Sequence, residues 1–241
     1  MYKNYLFDLY GTLADIHTDE ENGRLWEALA EYYTENGTKY TDKELKTAYD
    51  KFTKEEKAVV TANHPEYKYV DIKIEKVFKR LYTEKGTDTD DKLVLDTAAK
   101  FRTESREYIK LYSGIKELLE DLKKAGKNIY LLTNAQRAFT WDELEIIGIR
   151  DKFDGIVISS DEECCKPDSK FFNIMLTRYN LNPKETIMVG NDPTADISGA
   201  VSVGLVSLYI HTNISPELKE KPQSTYIIAD GDTTKMRDYL L

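Results

Sequence analysis

The chain has 241 residues, 41% of them hydrophobic, 11% aromatic and 32% charged, with 12 Gly and 6 Pro. That balance excludes a disordered, collagenous or Gly/Ser-linked chain, and it predicts either one large domain or a core carrying an inserted module. With 34 basic against 43 acidic residues the net charge is -9. Nucleic-acid affinity comes from Lys and Arg displacing counterions, so no nucleic-acid partner is expected.

The first run of elements begins at Tyr5–Leu9, a short apolar stretch that reads as a strand and ends in Tyr10-Gly11-Thr12. The next strand-like run, Asn128–Leu132, lies much farther on than a single crossover needs, and no strand is expected between them. Apolar residues in the gap recur at helical spacing: Leu25, Trp26, Leu29, Tyr32 and Tyr33; Leu45, Ala48, Tyr49 and Phe52; Ile74, Val77, Phe78 and Leu81; Leu95, Ala98, Ala99 and Phe101. The reading is an inserted helical-bundle module over 15–108. Its many tyrosines, Tyr32, Tyr33, Tyr40, Tyr49, Tyr67, Tyr69 and Tyr82 among them, are expected to serve packing.

From about residue 113 onward strands alternate with helices. Strands are predicted at Asn128–Leu132, Gly155–Ser159, Thr186–Gly190, Leu205–Ile210 and Thr225–Ala229, and helical stripes at Ile115–Leu122 and Phe171–Leu176. This alternation is that of a parallel sheet covered on both faces, so the fold class is α/β, with 1–14 and 109–241 as the core and 15–108 as the insertion. No run of roughly 18 apolar residues occurs, and the N-terminal stretch reaches charge before any signal-like core; a cytoplasmic protein without a membrane segment is expected. Cys164 and Cys165 are adjacent and read as free thiols.

Ligands of open parallel sheets sit at the carboxyl ends of the strands, so polar residues there carry the functional argument. Asp8-Leu9-Tyr10-Gly11-Thr12 follows the first strand, Thr133-Asn134 the second, Lys166-Pro167-Asp168 comes shortly after the third, and Gly190-Asn191-Asp192-Pro193-Thr194-Ala195-Asp196 follows the fourth. The Asp8 carboxylate is suited to nucleophilic attack if Lys166 keeps it ionised and neutralises the group attacked. Thr133 and the backbone N–H groups after Asp8 are placed to hold oxygens of a transferring group. Asn191, Asp192 and Asp196 offer hard oxygen ligands for Mg²⁺. In-line phosphoryl transfer needs little more.

In all four motifs and in their order the chain resembles the haloacid dehalogenase-like hydrolases, most of which are Mg²⁺-dependent phosphatases with a Rossmann-like core and, here, a helical cap. The resemblance implies Asp8 as nucleophile, Thr133 and Lys166 as phosphoryl-binding residues, and Gly11, Thr12 and Asn134 as further substrate contacts. It also implies Mg²⁺ held by Asp8, the carbonyl of Tyr10 and the Asn191, Asp192 and Asp196 loop. A small phosphorylated metabolite is the expected substrate, and a monomer or homodimer the expected state.

Two departures bear on function. Phosphatases of the family carry a general acid/base Asp two residues after the nucleophile, where this chain has Tyr10; loss of such a group costs about 10²–10⁴ in rate. A phenol can donate a proton but is a poor base near neutrality. Tyrosine at this position resembles the L-2-haloacid dehalogenases, whose halide leaves without a proton. Against that reading stand the acidic fourth motif, Phe172 where those enzymes place an aromatic hydroxyl, and the want of a convincing counterpart to their substrate-carboxylate arginine in the early insertion, where Arg24 is the only Arg. The second departure is Asn191 in place of a metal-binding Asp, which predicts modest metal affinity.

Three readings follow. The first is a Mg²⁺-dependent phosphohydrolase for substrates whose leaving group needs little protonation, such as acyl phosphates, phosphoenol-like esters or phosphoanhydrides. The others are a carbon–halogen hydrolase and a phosphate-binding regulatory protein with weakened turnover. Singly, Asp192 or Asp196 would serve as well to cap a helix near Thr194, and Thr12 or Thr133 to bond local backbone. His17, His64 and His211 show no metal spacing, although His17, Asp19 and Glu20 fall where the insertion begins.

Overall fold

In the computed structural model, which describes residues 2–241, a parallel sheet runs in the order β5-β4-β1-β6-β7-β8. Its strands are β1 (Asn4–Phe7), β4 (Asn128–Thr133), β5 (Gly155–Ile158), β6 (Thr186–Gly190), β7 (Val206–Ile210) and β8 (Tyr226–Ile228). β1 is central and fully buried, with Phe7 beside Leu131 on one side and Val189 on the other. Because side chains alternate across a strand, both faces must be apolar. Tyr5, Phe7, Ile129, Leu131, Ile187 and Val189 pack into one core, whereas Leu6, Tyr130, Leu132 and Met188 pack into the other. The chain leaves β5 at one edge and returns at β6, beyond β1, so the sheet has its topological switch beside β1.

The helices are α1 (Gly23–Glu35), α2 (Asp42–Asn63), α3 (Ile74–Thr83), α4 (Asp91–Ser105), α5 (Ile115–Lys124), α6 (Arg137–Ile146), α7 (Ser159–Glu162), α8 (Ser169–Arg178), α9 (Gly199–Ser202) and α10 (Met236–Leu240), with a π-helical turn over Pro193–Ser198. α1 to α4 pack around their own apolar cluster, which Phe139 of α6 joins from the sheet side. Local chemistry starts these helices. Asn22 caps α1, Asp90 caps α4, and Thr41 with Glu44 forms a reciprocal capping box on α2. Three of the tyrosines serve packing: buried Tyr33 donates to the Phe78 carbonyl, Tyr40 to the Leu81 carbonyl, and Tyr82 pairs with Thr97, whereas Tyr69 is exposed and Tyr49 lines a cleft.

One expectation is corrected. The gap between the first two predicted strands does contain strands: β2 (Ala14–Thr18) and β3 (Arg106–Leu111) form an antiparallel ribbon, with Ile16 opposite Ile109 and His17 opposite Tyr108. The ribbon carries the helices on its far end, and both predicted boundaries, 14/15 and 108/109, fall inside it. Its residues are largely solvated and polar, so no apolar run announces them. Among the described residues no helix is long and apolar enough to cross a membrane.

Candidate active site

The carboxyl ends of β1, β4 and β6 bring the first, second and fourth motifs together beside the switch point, and the loop after α7 adds the third. Asp8, Tyr10, Asn134, Lys166, Asn191, Asp192 and Asp196 line one cleft of about 290 Å³. Lys166 is 3% exposed, and its Nζ lies 2.6 Å from Asp8 Oδ1, 2.6 Å from Asp196 Oδ1 and 2.8 Å from the Leu132 carbonyl oxygen. All three ammonium protons therefore have acceptors. Burial alone would lower the Lys166 pKa, but the charges of Asp196 and Asp8 raise it above its ordinary value. Asn134 fixes the lysine's backbone from both sides: its Nδ2 donates to the Lys166 carbonyl at 2.9 Å, and its Oδ1 accepts from the Lys166 N–H at 2.8 Å.

Unmet hydrogen-bonding capacity remains at the ends of β1 and β4. Thr133 Oγ1 is buried and has no partner among the described residues. The turn after Asp8 uses the N–H groups of Gly11 and Thr12 for bonds to Ala14 and Leu9, while those of Leu9 and Tyr10 donate to no acceptor among the described residues. A buried hydroxyl and two free N–H groups near a strand end suit an anionic group. Thr12 Oγ1 lies 3.4 Å from Asp8 Oδ2 and 3.3 Å from Asn191 Oδ1. One hydroxyl proton cannot satisfy both oxygens, so a carboxylate and an amide oxygen share unmet demand at one point, a donor set compatible with Mg²⁺ that keeps several waters. The close approach requires glycine at residue 11: φ there is +84°, and an added Cβ would lie 2.2 Å from Asn191 Nδ2.

The fourth motif divides its work differently from expectation. Asp196, expected among metal ligands, is 1% exposed, and both its oxygens are engaged, Oδ1 by Lys166 and Oδ2 by the Asp192 N–H at 2.9 Å. Burial pushes its carboxyl pKa up, Lys166 pulls it down, and Asp8 adds a further push upward. Asp192 Oδ1 accepts from the N–H groups of Thr194 and Ala195, capping the π-helical turn. Gly190 leaves room for this arrangement, since a Cβ there would come within 2.3 Å of the Asp196 carboxyl group. Asn191 Nδ2 donates to Ser215 Oγ at 3.3 Å, leaving its oxygen toward Thr12. Among the described residues no group of three or more His, Cys, Asp or Glu forms a metal cluster. The oxygen donors at Asp8 are thus mixed: carboxylate and amide, with the Tyr10 carbonyl nearby in sequence.

Tyr10 was expected to act at the reacting centre, but its hydroxyl donates to Glu143 Oε2 and lies 3.1 Å from Thr140 Oγ1, both on α6. Glu143 has no exposed surface and is held by Arg102 Nε at 2.7 Å and Arg106 Nη1 at 2.9 Å. Burial and the Glu143 charge hold the phenol well above its ordinary pKa, so it stays protonated near neutrality.

Several residues of this neighbourhood went unrecognised in the sequence. Glu143 sits among Asp142 and Glu145 and reads as solvated helix surface. Asp71 reads as a loop acid, yet its carboxylate accepts from Ser159 Oγ at 2.5 Å and Gln136 Nε2 at 3.1 Å. Residues 69–71 also pair with the segment leading to Lys166, through a Val70–Cys164 bridge and a bond from the Cys165 N–H to the Tyr69 carbonyl. His17 is exposed beside Glu107, whereas Glu20 lines a second cleft with Tyr49, Asp71, Gln136 and Phe139.

A family model described as haloacid dehalogenase-like hydrolase matches residues 2–204. The chain is 25% identical to a glyceraldehyde 3-phosphate phosphatase of Methanopyrus kandleri over 100% of its own length and 96% of that protein's. It is 29% identical to a phosphoserine phosphatase of Thermus thermophilus over 66% of the chain and 61% of the relative. The chain spans about half the length of several curated relatives that it matches. In shape it resembles a 2-haloacid dehalogenase of Pseudomonas syringae pv. Tomato DC3000, with a TM-score of 0.67 and 19% identity over 100% of this chain and 98% of that one.

Proposed function

Because the chain belongs to the haloacid dehalogenase-like hydrolases, we propose that it is a phosphohydrolase acting on a small phosphorylated metabolite through an aspartyl-phosphate on Asp8. One observation carries this reading: buried Lys166 neutralises Asp8 Oδ1, while Asp8 Oδ2 and Asn191 Oδ1 both lie against the Thr12 hydroxyl.

Asp8 attacks phosphorus, a bond forms from its carboxylate oxygen, and the leaving group departs with the bonding electrons. The Thr133 hydroxyl and the free Leu9 and Tyr10 N–H groups bind the phosphoryl oxygens, while the Lys166 charge beside Asp8 offsets the negative charge that shifts among them. Water then hydrolyses the acyl phosphate and regenerates Asp8. Asp8, Asn191, the Tyr10 carbonyl and Asp192 are the residues that would hold Mg²⁺. Bound there, the ion would supply positive charge to the phosphoryl group. Asp196 acts one step back, by holding Lys166. Since the Tyr10 hydroxyl is committed to Glu143, the favoured substrates have leaving groups that depart without prior protonation: acyl phosphates, phosphoenol-like esters or phosphoanhydrides. In this reading the parallel sheet and its flanking helices form the catalytic core, α1 to α4 on the β2–β3 ribbon are the cap that closes over substrate, and the protein works in the cytoplasm.

The test is a screen of phosphate and halide release with and without Mg²⁺, with Asp8→Asn as control. Mg²⁺-dependent phosphate release lost in Asp8→Asn is expected. Metal-independent halide release from a 2-haloacid, or phosphate release that survives Asp8→Asn, would overturn the assignment.

A further inference from the structure

The residue two places after the nucleophile lines the cleft, but its hydroxyl is tied through α6 to the insertion. Tyr10 donates to Glu143, and Glu143 is fully buried between two arginines from the inserted segment: Arg102, in the last turn of α4, and Arg106, the first residue of β3. Arg102 gives Glu143 two bonds, from Nε at 2.7 Å and Nη2 at 3.3 Å, and its guanidinium lies 5.1 Å from the Phe139 ring centroid and 5.9 Å from that of Tyr10. A lone carboxylate without exposed surface is expensive to bury, and these partners compensate it only when α4, β3, α6 and the Asp8 turn are assembled in this arrangement. Moving α4 away would leave Glu143 with fewer charges against it and Tyr10 with a displaced acceptor. The Tyr10 backbone in turn belongs to the turn that presents Asp8, where Gly11 donates to Ala14 at the start of β2.

We propose that Tyr10, Glu143 and Arg102 form a latch in which Arg102 and Glu143 are positioning residues: closure of the helical insertion holds Glu143, Glu143 holds Tyr10, and Tyr10 fixes the turn that aims Asp8. This inference rests on the phosphohydrolase reading for its kinetic consequences but not for its structural one. A buried network made of single-geometry partners is bistable rather than gradually deformable, so one end reports the position of the other.

The test compares Tyr10→Phe, which removes one oxygen and keeps the ring, with Arg102→Met and the double variant. Arg102→Lys, which keeps the charge, serves if Arg102→Met does not fold. Loss of a hydrogen bond to a charged group should lower kcat roughly tenfold in each single variant, and the double variant should be no worse than the poorer single one, because both act on one element. The loss should be equal for acetyl phosphate and for an alkyl phosphate, since a positioning defect is blind to the leaving group. A Tyr10→Phe loss confined to alkyl phosphates would make Tyr10 the acid and overturn the latch while leaving the phosphohydrolase intact. Hydrogen exchange supplies an arm that needs no turnover: the bonded turn amides of Gly11, Thr12 and Leu13 should exchange roughly tenfold faster in both single variants, with those of β6 unchanged. Unchanged exchange at these three amides would overturn the latch whether or not the protein hydrolyses phosphate.

Discussion

Lys166 Nζ and Asp8 Oδ1 lie 2.6 Å apart, with the lysine almost wholly buried and its remaining protons on Asp196 and Leu132. The same ammonium thus compensates two carboxylates. Lys166→Met should destabilise the fold by about 3–5 kcal/mol, the range for breaking a buried pair by removing one partner. Urea unfolding of the variant measures this, and a change below about 1 kcal/mol would mean that Asp8 and Asp196 are compensated otherwise.

Replacing Tyr10 by Asp restores the usual acid/base residue type but removes the ring and the donor to Glu143. The ratio of alkyl to acyl phosphate turnover should rise at least roughly tenfold, even as acyl phosphate turnover falls. Steady-state rates on the two substrates decide it; an unchanged ratio would show that proton supply does not limit the alkyl esters.

Asn191 brings an amide oxygen where a carboxylate would bind a hard cation more firmly. Asn191→Asp should lower the Mg²⁺ concentration for half-maximal turnover by roughly tenfold, consistent with one added ligand charge. A metal titration of initial rate reads this directly, and no shift would place the ion away from residue 191.

Asp71 joins the insertion to Ser159 and Gln136, and burial holds its carboxyl above the ordinary value despite those hydrogen bonds. The folded state therefore binds its proton more tightly than the unfolded chain, and stability from this group declines as pH rises from the ordinary carboxylate value through the raised one. The Asp71→Asn variant lacks that dependence. Its urea midpoint relative to the wild type should move in its favour as pH rises across that window, and a difference independent of pH would exclude the linkage.

Much of the fold was legible because its signals are local. The buried strands around Leu6, Leu131 and Val189 are short apolar runs, and the inserted helices carry stripes at helical spacing. Asp8, Thr133, Lys166 and Asn191 were legible for the same reason, each standing just after such a run or in a recognisable motif. The β2–β3 ribbon was not, since its pairing joins residues 14–18 to 106–111 and neither strand is apolar.

By itself the sequence determined the α/β class, the inserted helices, the order of the four motifs and the residue types at the cleft, because periodicity and spacing are properties of the chain. Only the tertiary structure decided what each polar group does. Asp196 holds Lys166 and the Asp192 N–H, Asp192 caps a turn, and Tyr10 turns to a glutamate 133 residues away that is compensated by two arginines of the insertion. Those assignments depend on which donor meets which acceptor out of water. Such meetings are set by packing between segments distant in sequence, where burial makes an unmet bond costly and so selects one arrangement.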